Sequence, residues 1–107
     1  MNLPNINYIN QLARGDESVK ETLINVVKTE FPEEKKEYFE TLKSKEFKKI
    51  EVIVHRIKHK FSILGLETSY KNADKFELNL RNHILIDKDL QDFEDTLKAI
   101  TEYLKTI

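Results

Sequence analysis

The chain predicts an all-α fold: an antiparallel four-helix bundle with a short additional helix at its start. Three observations point there. Apolar residues recur at alternating spacings of three and four along most of the 107 residues, the period of a one-sided helix. Only two Gly and two Pro punctuate the chain, too few for a many-stranded β fold. The intervals between the apolar stripes are short, and short connections make sequential helices antiparallel neighbours.

Taken in order, Leu3 to Ala13 reads as the leading helix. Pro4 suits a helix start, and Ile6, Ile9 and Leu12 share one face. Arg14-Gly15 ends it, with Gly15 as a left-handed cap. Asp16 then serves as N-cap of a second helix, with Glu17 favourable in its first turn. That helix carries Leu23, Val27 and Phe31 inward, then Tyr38, Phe39 and Leu42. Pro32 removes one backbone donor inside it, which calls for either a kink or a brief break. Lys43-Ser44-Lys45-Glu46 is a polar turn.

The third helix ends near Gly65, and its Phe47, Ile50, Val54, Ile57, Phe61 and Leu64 form one continuous stripe. From Leu66 a fourth helix sets Leu66, Tyr70, Ala73, either Phe76 or Glu77, and Leu80 on one side. Asn82 to Ile86 is a connection expected to tuck its apolar residues against the bundle end. Asp87 caps the last helix, whose stripe is Leu90, Phe93, Leu97, Ile100, Leu104 and Ile107. Burying a Leu, Ile or Phe contributes about 1.5–3 kcal/mol. Residues 1–107 are therefore read as a single helical-bundle domain that folds without a ligand and works through its surface.

Composition narrows the function classes. The absence of cysteine excludes disulfides and thiolate metal or redox chemistry. Met1-Asn2-Leu3-Pro4 does not resemble a signal peptide, and no apolar run approaches the roughly 20 residues of a membrane helix. A soluble, cytoplasmic, monomeric protein without a membrane partner is expected. Net charge is −1, but unevenly spread. Residues 43–60 hold seven Lys/Arg against Glu46 and Glu51, a balance of +5, while the flanking segments are −3 each. Such a local field steers acidic partners. Nucleic acid is disfavoured, because the basic helix lacks aromatic platforms and overall basicity.

On the third helix, the arc opposite the stripe carries Lys48, His55, His59 and Ser62, with Lys58 at its edge. His55 lies about 120° from the stripe's centre, so its ring should face water on a rigid rod. A histidine on a polar helix face is ordinarily just solvated. Here the run His55-Arg56-Ile57-Lys58, then Ser62, then Gly65 ten residues after the histidine, resembles the histidine-containing phosphotransfer (HPt) domain family. The likeness covers nearly the whole chain. Asn7-Tyr8-Ile9 through Gly15-Asp16 is similar to the family's leading helix and Gly-Asp turn. Phe31-Pro32-Glu33 is similar to the middle of its second helix, and Phe76-Glu77 to a Leu-Glu pair after the histidine. The family usually has glycine four residues after the histidine, where this chain has His59. Either the partner surface accepts an imidazole, or transfer has been lost.

The resemblance implies a phosphorelay intermediate of two-component signalling. His55 would accept a phosphoryl group from a phospho-aspartyl receiver domain and pass it to a response-regulator aspartate. Lys58 would offset the phosphoryl charge. Lys48, Val52, Arg56, His59, Ser62 and Ile63 would contact the partner, with Val52 and Ile63 as a small apolar docking patch. Ser62 could instead bond the helix backbone four residues back. The implied partners are receiver domains, with a hybrid sensor histidine kinase as a further candidate. No cofactor is expected, magnesium belonging to the receiver. No Gly-rich phosphate cradle is present, so the chain is read as a phosphocarrier without kinase activity of its own.

Two other readings compete. Glu51, His55 and His59 share a face at metal-ligand spacing, but Arg56 stands where a zinc-protease glutamate would be. The surrounding cations would repel a dication, so no metal is expected. The remaining alternative is a non-catalytic helical interaction module. His83, near a helix C-terminus, can simply complement the dipole.

Overall fold

The computed structural model describes residues 3–107; Met1 and Asn2, part of the stretch read for a signal peptide, lie outside the described residues. Five helices follow one another: α1 (Asn7–Ala13), α2 (Glu17–Ser44), α3 (Phe47–Ile63), α4 (Glu67–Arg81) and α5 (Asp87–Leu104). There is no strand among the described residues. Side-chain pairings fix the antiparallel order. Lys60 meets Glu30 and Arg56 meets Glu37 between α2 and α3. Arg81 meets Glu51 and Lys58 meets Asp74 between α3 and α4. Asn79 bonds Asp89, and Thr96 bonds Ser69, between α4 and α5. Tyr38 bonds Glu94, and Lys35 bonds Thr101, between α2 and α5.

The four stripes meet around aromatic rings, one from each long helix. Phe93 of α5 lies 5.0 Å from Tyr38 of α2, 5.2 Å from Phe61 of α3 and 5.4 Å from Phe76 of α4, centroid to centroid. Offset and edge-on rings at these separations add to their burial energy. At 28 residues, α2 exceeds its partners and sets the 44 Å long axis of the molecule. α1 is only seven residues long and lies against α2, with Ile9 and Ala13 buried.

Several boundaries differ from the sequence expectation, each for a local reason. The leading helix starts at Asn7 rather than Leu3, because the Asn5 carboxamide oxygen accepts the Asn7 N–H and the Asn5 N–H bonds the Leu64 carbonyl. Leu12 is exposed, since so short a helix buries only the Ile9–Ala13 edge. α2 passes Pro32 without a break. Val27 and Phe31 before the proline and Glu34 and Tyr38 after it are buried, which pins the helix on both sides. Phe39 sits at the surface with its ring edge against Tyr38. The turn after α2 is only Lys45-Glu46, with Lys45 in the left-handed region.

Ile84, Leu85 and Ile86 do not tuck in; all three are exposed. The reason lies in how α4 ends. His83 takes the left-handed position with φ 59°, the Ile84 N–H bonds the Asn79 carbonyl and the His83 N–H bonds the Leu80 carbonyl. This cap sends the chain outward. α5 begins after Ile86, which makes no side-chain cap; Asp87 is its first residue rather than its N-cap. Asp16 does cap α2, its Oδ1 accepting from Ser18 and Val19.

Candidate functional site

α3 is held between α2 and α4, and its end is fixed at Gly65. The Leu66 N–H bonds the Phe61 carbonyl and the Gly65 N–H bonds the Ser62 carbonyl, a Schellman closure that needs the residue's φ of +74°. A Cβ there would lie 2.6 Å from the Asn5 carboxamide nitrogen, so any other residue would displace that side chain as well as strain the positive φ. His55 thus stands mid-way along a helix anchored at both flanks and at its end.

The His55 side chain is 55% exposed, as the helical phase predicts. Its ring is nonetheless held: Nδ1 lies 2.8 Å from Oε1 of Glu77 on α4, and Glu77 is buried. An ionised carboxylate only accepts. With Glu77 also paired to the Lys58 ammonium, the facing ring nitrogen is the one that carries the proton. In the neutral ring Nε2 then keeps its lone pair, and it has no partner among the described residues. The same arrangement orients metal-binding histidines.

Lys58 does not sit beside an exposed phosphoryl position. It is 7% exposed and donates from Nζ to Asp74 Oδ1 at 2.7 Å, pairs with Glu77 Oε2, and lies 5.1 Å over the Tyr70 ring. Burial alone would lower its pKa, but the bonds to Asp74 and Glu77 and their charge outweigh it, so the ammonium is held above its ordinary range. Its role is to bind α3 to α4 and to neutralise Glu77. Lys60 does the same on the other flank. It is buried, with Nζ 2.8 Å from Glu30 and 3.2 Å from Glu34. Its hydrogen bond and charge hold the Glu30 carboxyl below the usual carboxylate range.

The +5 segment is therefore not a ring of free cations. Arg56 bonds Glu37 at 2.9 Å, Lys49 pairs with Glu46, and Lys58 and Lys60 are consumed as above. Of the cations on α3, only Lys48 remains exposed and without a partner among the described residues. The sequence hid this because the compensating acids come from α2 and α4, distant along the chain.

The remaining expected contacts divide. Lys48, Val52, His55 and Arg56 line one surface groove of about 660 Å³, together with Phe47, Glu51, Glu77, Leu80, Arg81 and His83. Val52, expected in an apolar docking patch with Ile63, is 53% exposed. Ile63 is partly buried against the core. Ser62 is exposed and does not bond the backbone four residues back. His59 is exposed one turn beyond His55, and the two rings meet edge to face at 4.9 Å. Glu51 does not join them, being engaged with both Nε and a terminal nitrogen of Arg81. No group of three or more potential metal ligands occurs among the described residues. His83 packs its ring edge-on to Phe47 at 5.4 Å.

Glu77 is the residue whose role sequence reasoning missed. Its signal was present: a carboxylate at a core-facing phase of α4, between Ala73 and Leu80, requires a buried partner. No family model matches the chain, and no curated protein and no solved structure matches it either. The likeness to phosphotransfer domains stands on the residues quoted above.

Proposed function

We propose that the chain is a phosphocarrier: Nε2 of His55 takes a phosphoryl group from an aspartyl phosphate and returns it to a second aspartate. The observation that carries this reading is the pairing of an exposed imidazole with a buried carboxylate at Nδ1. Phosphoryl transfer asks the protein mainly for alignment and charge stabilisation. The Nε2 lone pair attacks phosphorus, the bond to the donor oxygen breaks, and the donor leaves as a carboxylate. The ring, still protonated at Nδ1, becomes positive, and Glu77 lies against that charge. The reverse step loads the second aspartate. A helix face positions such a nucleophile better than a loop. The groove beside His55, lined by Val52 and Lys48 among others, is where the receiver would dock in this reading.

The withdrawal of Lys58 and the neutralised cations favour a second reading, a docking module that does not transfer. One experiment separates the two. A radiolabelled phospho-receiver is mixed with the parent chain and with His55→Gln. The phosphocarrier reading expects acid-labile, alkali-stable label on the parent alone. Binding without label on the parent, or equal label on both, would overturn it.

A further inference from the structure

We propose that His59 donates the hydrogen bond to a phosphoryl group on His55 that the inward-facing Lys58 cannot supply. This inference rests on the phosphocarrier reading and specifies which side chain touches the transferred group.

The nearby cations leave few candidates. Lys58 is committed to Asp74 and Glu77 beneath the surface. Arg56 is committed to Glu37, and Arg81 to Glu51 through two nitrogens. Lys48 is open but lies seven residues before His55, about 10 Å along the helix axis. His59 lies one turn away, exposed, with its ring already against that of His55. It has no hydrogen bond or ion pair among the described residues, and its ring meets that of His55 edge to face, 4.9 Å between centroids and 87° between planes. In the proposed arrangement, a rotation of His59 about its side-chain bonds aims a ring N–H at the group attached to Nε2 of His55. Being planar, aromatic and polar at its edge, it offers the donor that its neighbours have spent on carboxylates.

The consequence is thermodynamic. A donor to the phosphoryl oxygens stabilises phosphohistidine relative to aspartyl phosphate, and so shifts the resting distribution of the group between the two proteins. A residue that only shapes docking changes how fast that distribution is reached, not where it ends. Phospho-receiver is therefore equilibrated with the parent, His59→Ala and His59→Lys, and the final ratio of label on His55 to label on aspartate is measured. Thermal melts confirm that each exposed-site variant is folded. The ratio is expected to fall about fivefold in His59→Ala, as loss of one hydrogen bond would give, and to stay within about twofold of the parent in His59→Lys. An unchanged ratio in His59→Ala, even with slower transfer, would overturn the inference. So would an equal fall in both variants. Label appearing on none of the chains would instead remove the phosphocarrier reading beneath it.

Discussion

At the scale of single residues, the site depends on which nitrogen of His55 carries a proton, and that is decided by Glu77. This buried carboxylate sets one oxygen against the Lys58 ammonium as an ion pair and the other against the imidazole. Glu77→Gln keeps the shape and removes the charge. The amide can still face Nδ1, but it no longer offsets the positive ring that the proposed phosphorylation would form, and Lys58 retains only Asp74. Hydrogen bonds to charged groups contribute about 1.5–3 kcal/mol, which corresponds to about 10–150-fold in rate. Phosphotransfer to the variant should slow by that factor while circular dichroism still reports a helical fold. A rate equal to that of the parent would show that Nδ1 needs no carboxylate.

At the scale of elements, the stripes of α3, α4 and α5 were legible because helical periodicity is a local property. Phe47 to Leu64 and Leu90 to Leu104 lie on the faces their spacing assigns. The charged positions were not legible in the same way. A helix covered on two flanks buries a wider arc than one stripe, so Ile53, Lys58 and Lys60 join the interior of α3 although they fall outside the three-four pattern. Which acids meet those lysines is set by α2 and α4, and no window on α3 contains that fact. The stripe at Ile84–Ile86 misled for the opposite reason, because apolarity there is not matched by a surface to cover it. Pro32 shows a third limit: flanking burial overrides a local breaker. The Lys28 carbonyl has lost the N–H that residue 32 would otherwise give it. Pro32→Ala should restore that bond and remove the ring's clash with the preceding turn, raising stability by about 1–3 kcal/mol. Thermal melting checks this. A lower melting temperature would mean that the packing of α2 on α5 depends on the shape the proline imposes.

At the scale of the whole molecule, α3 is fastened to α2 and α4 by buried ions, while α2 and α5 are joined through Tyr38. Its hydroxyl donates to Glu94 Oε2 at 3.0 Å, with the ring buried against Phe93. Burial first, then the Glu94 charge and the hydrogen bond, push the phenol well above its ordinary range. Lys58 is also held above its ordinary range, by the acids that surround it. Both shifts have the same sign for stability. A group that keeps its proton longer when folded stabilises the fold fully below its unfolded pKa, and that contribution is lost as pH rises above it. For a phenol and an ammonium the unfolded values are about 10 and 10.4. The denaturant midpoint should therefore carry no contribution to its slope from these two groups near pH 8 and should fall above about pH 10. For Tyr38 alone the slope approaches about 1.4 kcal/mol per pH unit, the limit for one proton. In Tyr38→Phe the midpoint should start lower at pH 8, because Glu94 loses its donor, yet decline less steeply from pH 10 to 11. Parallel declines in parent and variant would show that the α2–α5 seam does not hold this phenol in its protonated form. The alkaline limit of the fold would then rest on Lys58 and its acids between α3 and α4.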